Sequence, residues 1–90
     1  MRIHELKILP KYFERVIKGE KTFEIRKNDR DFQTGDEIEL KEFDNIRNEF
    51  SGRCVFGRIS YILNSGEYGL KQGYCVFSFK INKVAMEELK

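Results

Sequence analysis

Between Gly19 and Phe32 the chain reads Gly-Glu-Lys-Thr-Phe-Glu-Ile-Arg-Lys-Asn-Asp-Arg-Asp-Phe. Lys21, Glu24, Arg26, Lys27, Asn28, Asp29, Arg30 and Asp31 crowd this one window. Gathered on a concave surface, such groups hold an anion, a base edge or a polarised carbonyl. On an extended strand, alternation puts Glu24 and Arg26 on one face and Phe23 and Ile25 on the other. The pair is either a surface ion pair worth at most ~1 kcal/mol or a half-buried one in which Glu24 aims the guanidinium at a ligand. Lys21 begins the strand just after Gly19 and reaches the same mouth. Asn28 to Phe32 reads first as a turn, because Asn and Asp bond their own backbone. Within it Arg30 can fork onto a phosphate or stack on a base.

His4 falls with Leu6 and Ile8 on the apolar face of the first strand. A lone histidine there is either a satisfied core side chain or a proton-transfer group at the floor of a pocket near Lys21. Tyr68 and Tyr74 flank Gly69-Leu70-Lys71-Gln72-Gly73. They are core aromatics or rim aromatics that can stack on a nucleobase. The glycine spacing matches neither phosphate-cradling motif, so these glycines read as turn formers. Cys54 and Cys75 sit in apolar runs and read as buried reduced thiols. Two isolated cysteines and one histidine do not make a zinc site, and no cofactor is implied.

The net charge of +2 conceals a polarised chain. Residues 1–30 carry nine basic groups against five acidic ones, whereas residues 31–50 carry two against seven. A basic first third is the footprint expected for a polyanion, or simply a solvated face. The 36% charged and 40% hydrophobic composition suits one globular domain spanning residues 1–90. No run approaches the roughly 20 apolar residues of a membrane span. The start, Met-Arg-Ile-His-Glu-Leu-Lys, has no apolar leader character, so a cytoplasmic location is the default expectation.

These residues need elements to position them. His4, Leu6 and Ile8 mark a first strand. Pro10 suits the first helical position, and Phe13, Val16 and Ile17 form an apolar stripe. Lys18 and then Gly19, as a left-handed cap, end a helix over residues 10–18. Residues 21–27 make the next strand, and Thr34-Gly35-Asp36 turns the chain. Ile38 and Leu40 belong to a third strand. Residues 44–52 form a polar loop of hairpin character. A long strand follows over 53–63, with Gly57 marking a bulge or bend. Residues 64–73 are a loop. Cys75, Phe77, Phe79 and Ile81 line the last strand, and residues 83–90 are expected as a short terminal helix. Five to six strands and one helix predict a small, mainly β (α+β) barrel, closed or nearly so, with a two-layer α+β sandwich as the alternative.

Gly19-x-Lys21-x-x-Glu24-x-Arg26, placed after a helix and entering a strand, resembles the signature of the ASCH superfamily of PUA-like β-barrels. His4-Glu5-Leu6-Lys7, Tyr12-Phe13, residues 27–32, Gly35-Asp36, Tyr61-Ile62-Leu63 and Gly69-Leu70-x-x-Gly73-Tyr74 resemble a short prokaryotic and phage branch catalogued as a domain of unknown function. The resemblance implies RNA binding in a cleft between barrel and helix, lined by Lys21, Glu24 and Arg26. Lys27, Asn28, Arg30 and Tyr74 complete the expected RNA or nucleotide contacts. Some relatives hydrolyse acylated cytidine or RNA; an enzyme here would use Lys21 as base with Glu24 or His4 in proton transfer. The amidohydrolases place a threonine nucleophile where this chain has Glu24. They also draw an acidic residue from a helical insertion for which residues 63–74 leave no room. A protein-interaction domain is the remaining alternative.

Overall fold

A computed structural model describes residues 2–86 of the protein. The elements are β1 (Ile3–Ile8), α1 (Pro10–Ile17), β2 (Phe23–Lys27), β3 (Glu37–Asp44), β4 (Glu49–Leu63) and β5 (Tyr74–Met86), with a single 3-10 turn over Glu67–Gly69. The strands form one curled half-barrel sheet in the order β1-β3-β4-β5-β2. β1 runs parallel to β3, and every other pair is antiparallel.

The helix begins and ends as its residues dictate. Pro10 occupies the first turn, and the backbone N–H groups of Tyr12 and Phe13 both bond the Leu9 carbonyl. At the other end Gly19 takes φ +75°, and the amides of Glu20 and Lys21 turn back onto the Arg15 carbonyl. This reversal delivers Lys21 to the start of β2. Phe13 and Val16 lie fully buried against Leu6, Ile8, Ile38, Leu40, Val55, Ile59, Phe77 and Phe79, which form the core.

Gly57 does mark a bulge. Phe56 pairs with Lys83 but Gly57 with Ile81, so Asn82 is skipped; a second irregularity skips Ser60. A Cβ at Gly57 would stand 2.8 Å from the Lys80 carbonyl oxygen, so β4 and β5 approach too closely there for any side chain.

Two expectations change. Lys83–Met86 continue β5 rather than starting a helix, because the main chain of Arg53–Phe56 needs a partner at that edge and they supply it; residues 87–90 lie outside the described residues. β4 also begins at Glu49, four residues before the expected start, because Phe50 and Glu49 pair with Phe43 and Asp44 across the turn. The sheet does not close through its backbone. β1 and β2 remain its two edges.

Candidate functional site

The two edges face each other, and arginine side chains bridge them. Glu37 donates its N–H to the Arg2 carbonyl, which sets the alternation by which Glu5 and Lys7 turn their carbonyls away from β3. Arg26 Nη2 donates to the Lys7 carbonyl at 2.7 Å, and Arg30 Nη1 donates to the Glu5 carbonyl at 2.8 Å. Guanidinium groups thus occupy the place of a missing strand and satisfy an otherwise open edge.

Beside this seam lies a cleft of about 480 Å³ lined by Lys7, Ile8, Leu9, Tyr12, Lys21, Phe23, Glu24, Ile25 and Arg26. Glu24 is its anchor. It is only 4% exposed, on the inward face of β2, in register with Phe77 of β5. One carboxylate oxygen accepts from Arg26 Nε at 2.9 Å and Nη2 at 2.6 Å; the other accepts from Lys21 Nζ. Lys21 Nζ also donates to the Phe23 carbonyl at 2.7 Å and lies 5.0 Å and 5.6 Å from the Phe23 and Tyr12 ring centroids. One buried carboxylate therefore fixes two cations, leaving an excess positive charge at the cleft wall. A third N–H of Lys21 and the Nη1 group of Arg26 remain as donors there.

A second recess of about 450 Å³ adjoins the first and shares Lys7 and Arg26 with it; Glu5, Leu6, Arg30, Lys41 and Phe50 contribute the rest. Across the two, five cationic side chains (Lys7, Lys21, Arg26, Arg30 and Lys41) meet two carboxylates, Glu5 and Glu24.

β2 is turned against its apolar pattern. Phe23 and Ile25 are 43% and 57% exposed on the outer face, while Glu24 and Arg26 face inward. The inner side of this edge strand meets ionic partners at the seam rather than the core, so the polar residues are the ones that gain by turning in.

Of the expected site residues, Lys21, Glu24 and Arg26 come together, and Arg30 borders the adjoining recess. Lys27 and Tyr74 pair with each other on the outer face, away from the cleft. Asn28 serves the turn: its side-chain oxygen accepts the Phe32 N–H at 3.0 Å, and its own N–H donates to the Gly73 carbonyl. His4 does not line the cleft. It is buried, with Nε2 2.8 Å from Asp36 Oδ2 and its ring edge-on to Phe32. Burial alone would raise the Asp36 carboxyl, but hydrogen bonds from His4, the Gln33 amide and Arg2 outweigh it and hold it below the ordinary carboxylate range. That pair is part of the core.

Sequence reasoning missed the parts supplied by other elements. Lys7 enters the cleft from β1, and Tyr12 enters it from the exposed side of α1. It also missed Arg53, which joins Glu14 of α1 (2.6 Å) to buried Glu42 of β3 (2.8 Å) and stacks 4.8 Å over Phe13. The Arg53 hydrogen bonds, aided by Ser51, hold Glu42 below the ordinary carboxylate range against its burial. This cluster fastens the helix that forms one wall of the cleft.

The family profile described as a domain of unknown function, DUF3850, matches residues 3–79. The chain belongs to the DUF3850 family. The match runs from β1 into β5 and contains every residue of both recesses. This DUF3850 domain is also similar to the "Uncharacterized 12.9 kDa protein in GpA 3'region" of Escherichia phage P2, with 37% identity over 67 residues. Those residues make up 74% of the DUF3850 chain and 60% of the phage protein, so the chain spans about three fifths of that relative's length.

Proposed function

We propose that this domain is an ASCH-type, PUA-like module that binds RNA, with one nucleotide held in the cleft between α1 and β2. The observation that carries the reading is the oversubscribed carboxylate: Glu24 holds Lys21 and Arg26 together, and both keep donors at the wall of an open cleft. A phosphate or an electron-rich base edge would balance the surplus charge. Tyr12 and Phe23, both partly exposed beside Lys21, offer faces for a base. The curled sheet with a short helix after β1 supports the superfamily likeness.

Binding fits the geometry better than base catalysis. Lys21 Nζ is engaged as a donor by the Phe23 carbonyl and the Glu24 carboxylate, which fixes it at the cleft wall as a hydrogen-bonding group for a ligand. The test is fluorescence anisotropy of the full chain with labelled single-stranded RNA over a salt series. Lys21→Ala should weaken binding and lower the salt slope by about one. Absence of binding to any RNA form at low salt would end this reading.

A further inference from the structure

Beyond Phe23 and Ile25, which also line the cleft, the outer face of β2, β5 and β4 lies outside it, yet its composition is unlike an ordinary solvated sheet face. The register sets it out in rows. Phe23, Ser78 and Tyr61 form one row, Ile25, Val76 and Leu63 the next, and Lys27 with Tyr74 a third. Tyr61 is 67% exposed, and Phe23 and Ile25 are about half exposed. Lys80 stands beyond the first row, and Lys71 Nζ lies 5.4 Å over the Tyr74 ring beyond the third. No residue of Phe23–Lys27, Tyr74–Lys80 or Tyr61–Leu63 whose side chain takes this outer face is a carboxylate.

A separate observation comes from the loop that leads into β5. The loop joining β4 to β5 presents Tyr68 at 98% exposure with φ +50°, held between Gly66 and Gly69, themselves at positive φ. A bulky residue in the left-handed region costs free energy, and nothing in the fold repays it through burial. The loop thus displays an exposed aromatic ring six residues before Tyr74 in the chain.

We infer that this face is a stacking track for single-stranded nucleic acid, which continues over β2 from the cleft and receives the nucleotides that flank the one bound there. The inference rests on the RNA-binding reading and extends it to the length of strand engaged. Aromatic faces carry bases regardless of sequence, and the lysines at both ends of the track meet the backbone. Phe23 and Ile25 line the cleft and the track alike, which makes the path continuous. Charge also selects the occupant: an apolar strip bounded by lysines disfavours a second copy of this face, since like charges would meet.

The test compares the full chain with Tyr61→Ala/Tyr68→Ala, using a labelled single-stranded 12-mer RNA and a trinucleotide. Both side chains are largely exposed, so folding should survive, as circular dichroism would verify. The double variant should bind the 12-mer roughly 10-fold or more weakly and the trinucleotide within about 2-fold of the parent. Tyr61→Phe should retain 12-mer affinity. If the double variant binds the 12-mer like the parent while Lys21→Ala does not, the track is wrong and the cleft reading stands. If no RNA binds the parent, both fail. Self-association of the RNA-free chain that Tyr61→Ala abolishes would also overturn the track, by making the face a protein interface.

Discussion

Replacing Glu24 by Gln tests the anchor of the cleft with almost no change of shape. The carboxylate side chain is 5% exposed, while those of Lys21 and Arg26 are 18% and 24% exposed. Each cation at such a distance gains about 4 kcal/mol gross at an effective dielectric of 20. Most of that is offset by desolvation, and breaking a fully buried pair costs about 3–5 kcal/mol. Because the cations keep some water, about 2–3 kcal/mol is the reasoned loss for Glu24→Gln. Whichever way the amide turns, its NH2 group meets a cation and places donor against donor. The stability change is read by urea unfolding followed by far-ultraviolet circular dichroism, since the chain has no Trp. In a domain of this size the loss corresponds to roughly 10–20 °C in Tm. Adding Lys21→Met removes the ammonium left without its counter-charge, so the double variant should recover about 1 kcal/mol relative to Glu24→Gln alone. A single-variant loss below about 0.5 kcal/mol, or further destabilisation by Lys21→Met, would refute the claim that Glu24 organises the site.

Two further outcomes follow from the same geometry. Gly57→Ala should cost about 1–3 kcal/mol in the same urea assay, because its Cβ would press on the Lys80 carbonyl at 2.8 Å, and a neutral result would mean the bulge yields freely. Stability should fall with acid as pH drops below about 4.5. Asp36 and Glu42 have folded pKa values depressed from 3.8 and 4.5, so above those values their contribution is full, and it is lost as pH falls through the folded values. Asp36→Asn should flatten this acid limb below about pH 3.8, and an unchanged slope there would show that Asp36 carries no proton linkage to folding.

Local signals decided the elements where one residue type settles the backbone. Pro10 and Gly19 bracket α1 because one lacks an amide hydrogen and the other adopts positive φ at no steric cost. Leu6, Ile8, Ile38 and Leu40 mark inward faces by simple alternation. Lys83–Met86 carried no comparable signal, and their strand state comes from pairing with Arg53–Phe56. The same division runs through the site. Lys21, Glu24 and Arg26 were legible as a group because they share one short segment. Lys7 and Tyr12 were not, because they reach the cleft from other elements.

The sequence by itself determined the helix, the strand pattern, the glycine-marked bulge and the presence of a dense ionic window. It could not tell a surface ion pair from a buried one. Only the tertiary structure decided that, by leaving β1 and β2 as facing edges, so that the Lys7 and Glu5 carbonyls of β1 draw Arg26 and Arg30 into the gap. The same curvature turned Phe23 and Ile25 out to solvent and Glu24 in. Alternation fixes which residues share a face, but which face meets water depends on what lies across the gap, and that information is spread over strands distant in the chain.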